Sequence, residues 1–113
     1  MTALDLLTVA DCVELLVNGL NSGDDHRPVV KLFTSDGSAT WLISESDPDE
    51  PDRLFGLCDL GMGCPEIGYV SISEIQSVKG HLGLAVARDM HFVADKPLSA
   101  YAAEAHEKGH IVA

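Results

Sequence analysis

The chain has 113 residues, 46% of them hydrophobic, which suits one compact domain over residues 1–113 with a real though small core. Eighteen Asp and Glu against seven Lys and Arg give a formal charge of −11; that balance repels polyanions, so direct nucleic-acid binding is not expected, while a basic partner is attracted in a salt-dependent way. No stretch approaches the roughly 20 apolar residues of a membrane span, and an odd count of three cysteines without a charged-then-apolar leader makes the cytoplasm the expected compartment.

In chain order, Leu7, Val9, Ala10, Val13, Leu15, Leu16, Val17 and Leu20 recur at helical spacing, with Thr8 as N-cap and Asp11 and Glu14 in the early turns. This predicts a helix from about Leu7 to Leu20 that packs one face on a sheet. The Gly-, Asn- and Asp-rich residues 18–25 end it. Pro28 to Thr34 and Ala39 to Ser44 read as a hairpin turning through Ser35-Asp36-Gly37-Ser38. Next comes Glu45-Ser46-Asp47-Pro48-Asp49-Glu50-Pro51-Asp52, with five carboxylates and two prolines in eight residues. Ionised carboxylates resist burial and the prolines stiffen the backbone, so an exposed, partly extended loop is expected. It reads as a recognition element or as a solvated turn.

Leu54 to Leu57 and Ile67 to Ser71 form a second strand pair, bridged by residues 58–66, whose glycines favour a loop. Ser73 is placed to cap a short helix over Glu74 to Val78, after which Gly80 and Gly83 interrupt the pattern. Leu84 to Phe92 has no decisive periodicity. Leu98 to Lys108 is an alanine-rich helix stopped by Gly109. The sum is an α+β fold, an antiparallel sheet of about four strands covered on one side by helices.

Residue types that carry chemistry are present but poorly arranged. Cys58, Cys64, His106 and His110 are the right donors for tetrahedral zinc. Gly109 breaks the helical pairing of the histidines, though, and the cysteine spacing exceeds that of zinc knuckles, so no metal and no cofactor is expected. Cys12 reads as a small core residue. Asp49, Glu50 and Asp52 lack the second ligand set or pocket that an acid/base or divalent-metal site needs. His81 and His91 read as isolated structural histidines, and Ser44 and Ser46 have no nucleophile-elbow context. The glycine-rich Gly56 to Gly63 lacks a Gly-Lys-Ser/Thr and carries Asp59, which favours a turn over a phosphate loop. Trp41, Phe33, Phe55, Tyr69 and Phe92 are assigned to the core, with Trp41 and Phe33 beneath the first helix. An enzyme is not expected.

An ordered series of motifs carries a resemblance. It runs Lys31-Leu32-Phe33-Thr34, Thr40-Trp41-Leu42, Glu45 with Asp47-Pro48 and Asp52, then Phe55-Gly56-Leu57. It continues with Pro65-Glu66-Ile67-Gly68-Tyr69-Val70-Ser71-Ile72-Ser73-Glu74-Ile75, Gly80-His81-Leu82-Gly83-Leu84, Arg88-Asp89, Phe92 and Lys96-Pro97-Leu98-Ser99. Over roughly residues 28 to 101 the chain resembles the small bacterial proteins of the domain of unknown function 2958 family. The resemblance implies an accessory protein of plasmids, integrated elements or phages, encoded beside genes that blunt host defence, and implies no catalytic residues. The three cysteines and the terminal histidines are not part of the resemblance.

Between Glu45 and Glu66 there are seven acidic residues and one basic residue, Arg53. The expected contact surface is therefore Glu45, Asp47, Asp49, Glu50, Asp52, Asp59 and Glu66, facing the basic surface of a host nucleic-acid-binding defence protein. In the mobile-element setting this points to an acidic, non-enzymatic inhibitor in the host cell cytoplasm, an anti-CRISPR protein that blocks a DNA-binding surface by mimicry. An anti-restriction protein and an accessory protein-binding module without mimicry are the alternatives.

Overall fold

A reciprocal cap starts the first helix. Thr8 Oγ1 accepts the Asp11 N–H at 3.1 Å while the Asp11 carboxylate accepts the Thr8 N–H at 2.8 Å, satisfying two amides that no helical carbonyl can reach. In this computed structural model, which describes residues 6–79 and 82–113, the elements run α1 (Val9–Leu20), β1 (Val30–Thr34), β2 (Thr40–Asp47), β3 (Glu50–Asp59), β4 (Glu66–Ser71), α2 (Ile72–Ser77), β5 (Val86–Arg88) and α3 (Leu98–Lys108). Gly80 and His81 lie outside the described residues.

The five strands form one antiparallel sheet in the order β4-β3-β2-β1-β5. The α+β class is as expected, and the strand missing from the sequence reading is β5, three residues long. Its Val86, Ala87 and Arg88 pair with Thr34, Phe33 and Leu32 of β1. A strand this short carries too little alternation to stand out from a loop.

Helices cover both faces of the sheet, which corrects the expected one-sided cover. Trp41 and Ile43 of β2 turn toward one core with Leu15 of α1, Leu32, Leu54 and Ile72 and Ile75 of α2. The intervening Leu42 turns the other way, with Leu57, into a second core made with Leu98, Tyr101, Ala102 and Ala105 of α3 and with Ile111. Alternation on the central strands therefore serves two hydrophobic layers at once. Trp41 is buried near α1 as expected, but Phe33 follows Leu32 on β1, faces the opposite side and is only half-buried. Tyr69, 56% exposed, is not a core residue.

α1 presents more apolar surface than the sheet covers. Leu15 is buried, while Val9, Val13, Leu16, Val17 and Leu20 form an exposed row along the helix. The short helix α2 also begins earlier than predicted. Ser71, the last residue of β4, is its N-cap, and Ser71 Oγ accepts the Glu74 N–H at 3.2 Å, with Ser73 already inside the first turn. The loop reading of the glycine-rich bridge holds for residues 60–65. Gly61 adopts a φ of +81° hard against Ser38, where a Cβ would lie 2.0 Å from the Ser38 hydroxyl.

Candidate functional site

The acidic segment is strand rather than loop. β2 runs through Asp47 and β3 resumes at Glu50, so the chain reverses over Pro48 and Asp49 alone. Asp47 holds this turn by accepting the Asp49 N–H at 2.9 Å. Asp49 and Glu50 are exposed and Asp47 is half-buried. None of the three ion pairs found among the described residues, Lys31 with Asp89, Arg88 with Asp11 and Lys96 with Glu104, involves this turn.

The other four candidate contact residues part company with it. Asp52 is occupied by the start of α2, where its carboxylate accepts the Ser71 and Ser73 hydroxyls, each at 2.5 Å, and the Ser73 N–H at 3.1 Å. Those hydroxyls hold its carboxyl below the usual range. Asp59 is 3% exposed and accepts the N–H groups of Gly61 at 2.8 Å and Ile111 at 3.0 Å, so it pins the chain end to β3 and cannot meet a partner. Glu66 is exposed, but it pairs with Cys58, eight strand positions from Glu50, a separation of roughly 26 Å. The proposed single surface is thus corrected to a compact acidic turn with one distant outlier.

Glu45 departs furthest from expectation, being 8% exposed. Its place is set by an irregularity in β2. Ile43 pairs with Gly56 and Glu45 pairs with the next residue, Phe55, so Ser44 is an extra residue on its strand. One inserted residue reverses the faces of everything after it. Glu45 is thereby moved from the α1 face to the face of Phe55 and its cross-strand partner Tyr69, whose ring centroids are 5.1 Å apart. Beyond the end of β1 the free edge of β2 is closed by the end of α1. Asn18 Nδ2 donates to the Ser44 carbonyl at 2.9 Å, and Gly19 lies so close that a Cβ would stand 1.9 Å from the Ser46 carbonyl oxygen.

These elements enclose a pocket of about 150 Å³ lined by Gly19, Ser22, Glu45, Ser46, Asp47, Pro48, Phe55 and Tyr69. Among the described residues Glu45 makes no hydrogen bond or ion pair, and burial raises its carboxyl above the ordinary range, opposed in part by the charge of His26. The His26 ring is itself committed, Nε2 donating to the Asn21 carbonyl at 2.8 Å. Sequence reasoning grouped Glu45 with its acidic neighbours and missed Phe55, Tyr69 and Gly19 as its companions. The strand insertion at Ser44 leaves no signature in the residue pattern.

The four potential zinc ligands do not converge. Cys58 pairs with Trp41 and packs on the α1 side of the sheet, where burial pushes its thiol up to about 11, whereas His106 belongs to α3 on the opposite side. His106 Nε2 donates to the Pro65 carbonyl at 2.8 Å, Cys64 is exposed, and His110 Nδ1 donates to the Lys108 carbonyl at 3.2 Å. Among the described residues no group of three or more His, Cys, Asp or Glu is placed to hold a metal ion, and no helix is long and apolar enough to cross a membrane.

The family profile described as protein of unknown function (DUF2958) matches residues 6–112, a longer stretch than the motif series spans. The chain belongs to the DUF2958 family. No curated protein and no solved structure matches it. Membership accounts for the motif series across β1 to α3 and leaves chemistry to be read from the residues themselves. Another hollow on this DUF2958 domain, about 480 Å³ beside the start of α3, has its charges satisfied internally. Lys96 bonds Glu104 at 2.9 Å, Tyr101 donates to Asp95 at 3.0 Å, and Asp89 faces Lys31 at 3.6 Å, with His91 exposed at the edge. The Glu45 pocket and the adjoining acidic turn are the better candidate site.

Proposed function

We propose that this chain is a non-enzymatic acidic inhibitor of a host nucleic-acid-handling defence system, an anti-CRISPR protein that occupies the DNA-binding surface of an effector complex by imitating nucleic acid. The observation that supports the reading is the unpaired acidic turn. Asp47, Asp49 and Glu50 sit at and beside the two-residue connection between β2 and β3, two strands anchored in both cores. Rigidly presented carboxylates without internal cations can take the place of phosphates against lysines and arginines that normally neutralise DNA. The mobile-element setting implied by the family resemblance favours a CRISPR effector, whose heteroduplex channel and protospacer-adjacent-motif reader are cationic; a restriction enzyme is the alternative target.

The test is a triple variant, Asp47→Asn, Asp49→Asn and Glu50→Gln, measured for affinity to an effector complex at two salt concentrations, with and without target DNA. Asp52 is left intact because it caps α2. The parent should lose affinity steeply with salt and the variant less so, and DNA should compete with both. Simultaneous binding of DNA and this protein would rule mimicry out.

A second reading, an accessory module that binds another element-encoded protein without mimicry, is favoured by the exposed row Val9, Val13, Leu16, Val17 and Leu20 on α1. In that case Val13→Lys with Leu16→Glu abolishes association, and the acidic triple variant leaves it unchanged.

A further inference from the structure

We infer that the pocket around Glu45 is a receptor for an organic cation, an alkylammonium or guanidinium head such as that of a lysine or arginine side chain presented by a bound protein. Glu45 lines the pocket, is more than nine-tenths buried, and has no hydrogen-bond donor among the described residues. A buried carboxylate in that state is costly unless a proton or a cation joins it. The surroundings select the cation. Asp47 adds a second carboxylate to the lining, and Phe55 and Tyr69 supply aromatic walls. Tyr69 already accommodates such a group, the Arg53 guanidinium lying 4.1 Å from its ring centroid in a hollow lined also by Glu50, Asp52 and Glu74.

Size narrows the class further. About 150 Å³ admits the end of a lysine or arginine side chain and is too small for a nucleotide or a folded element. Burial raises the Glu45 carboxyl and His26 acts against that shift, so a cation entering the pocket favours the charged carboxylate in the same sense as His26 does. Asp47 and Pro48 belong both to the pocket lining and to the acidic turn, so a basic protein docked on the turn has a side chain within reach of the pocket. The inference deepens the inhibitor reading and rests on it only for the source of the cation.

The experiment titrates the full chain with N-acetyl-lysine methylamide, its arginine counterpart and the neutral norleucine isostere, following the Tyr69 ring and Glu45 carboxyl resonances by NMR. Spermidine in a parallel arm distinguishes a free polyamine from a protein side chain as the source. Saturable shifts with the cations and not with norleucine are expected. Glu45→Gln should weaken binding roughly tenfold or more, as loss of a charged acceptor does. Tyr69→Ala, at an exposed position, should weaken it roughly threefold and keeps the test valid if the Glu45 variant fails to fold. Asp49→Asn with Glu50→Gln should leave cation binding within about twofold, since exposed charges a turn away act weakly. Equal binding of norleucine, unchanged affinity in both pocket variants, or no saturable shift overturns the pocket. That failure stays separate from the inhibitor reading, which falls if the acidic-turn variant binds the effector complex like the parent or if DNA and this protein bind the complex together.

Discussion

The carboxylate of Asp59 at the end of β3 accepts the backbone N–H of Ile111 at 3.0 Å, joining residues 52 positions apart and seating Ile111 in the core beneath α3. The same carboxylate accepts the Gly61 N–H at 2.8 Å. Asp59→Ala should cost roughly 1–3 kcal/mol, because the buried Ile111 amide is left without an acceptor. Urea denaturation measures this, and parent-like stability would show that the chain end is not held there. Because Asp59 is buried, the effector contact proposed for the acidic turn should survive the substitution.

The second prediction concerns pH. Arg88 of β5 donates through both terminal nitrogens to the Asp11 carboxylate, fastening α1 to the sheet edge. Burial raises the Asp11 carboxyl, but the bonds from Arg88 and Thr8 outweigh it and hold the carboxyl below its ordinary value of 3.8. A carboxyl lowered by folding stabilises the fold above its unfolded value, and the contribution is lost as pH falls from near 4 through the lowered value. Thermal melts from pH 6 to pH 2 should therefore show an acid-linked loss that Asp11→Asn partly abolishes. Arg88→Met should cost about 2–4 kcal/mol at pH 7, the penalty for stranding a mostly buried carboxylate.

Trp41 and Phe33 give a third test, since they occupy opposite faces. Trp41→Ala removes a side chain that is 3% exposed and should cost roughly 3–5 kcal/mol, a large part of the stability of so small a domain. Phe33→Ala, at a half-buried position, should cost roughly half as much. Equal costs from chemical denaturation would contradict the two-faced core.

Thiol reactivity provides the fourth. Cys64 is exposed, whereas Cys58 is held as a neutral thiol by burial that raises it to about 11. With a thiol-selective reagent at pH 8, the exposed Cys64 should react first and the partly buried Cys58 much more slowly, catching up only upon unfolding. Peptide mapping of the labelled protein assigns the order.

A fifth prediction separates cap from contact within the acidic segment. Asp52→Asn should cost about 0.5–1 kcal/mol by weakening the start of α2, whereas Asp49→Asn should leave stability within about 0.5 kcal/mol. Comparable destabilisation by both would mean that the turn is packed rather than presented.

Local pattern alone located α1, α3, the β1–β2 hairpin and the β3–β4 pair, because helical and alternating periodicities are properties of neighbouring residues. The Thr8 cap, too, was legible in its own four residues. Which face each strand presents was not, since Leu42 and Trp41 are both apolar and only the presence of α3 on one side and α1 on the other distinguishes their destinations. β5 was equally silent, its three residues becoming a strand through pairing with β1.

The candidate site divides along the same line. An ionised, proline-bounded run was bound to include solvent-facing carboxylates, and Asp49 and Glu50 are such residues by composition alone. The fates of Glu45, Asp52 and Asp59 were decided by tertiary structure: an extra residue at Ser44 turned one into a pocket, the serines of α2 claimed another, and the Ile111 amide claimed the third. Charge and propensity are properties of a residue, while burial and partnership depend on segments that meet only after the chain has folded.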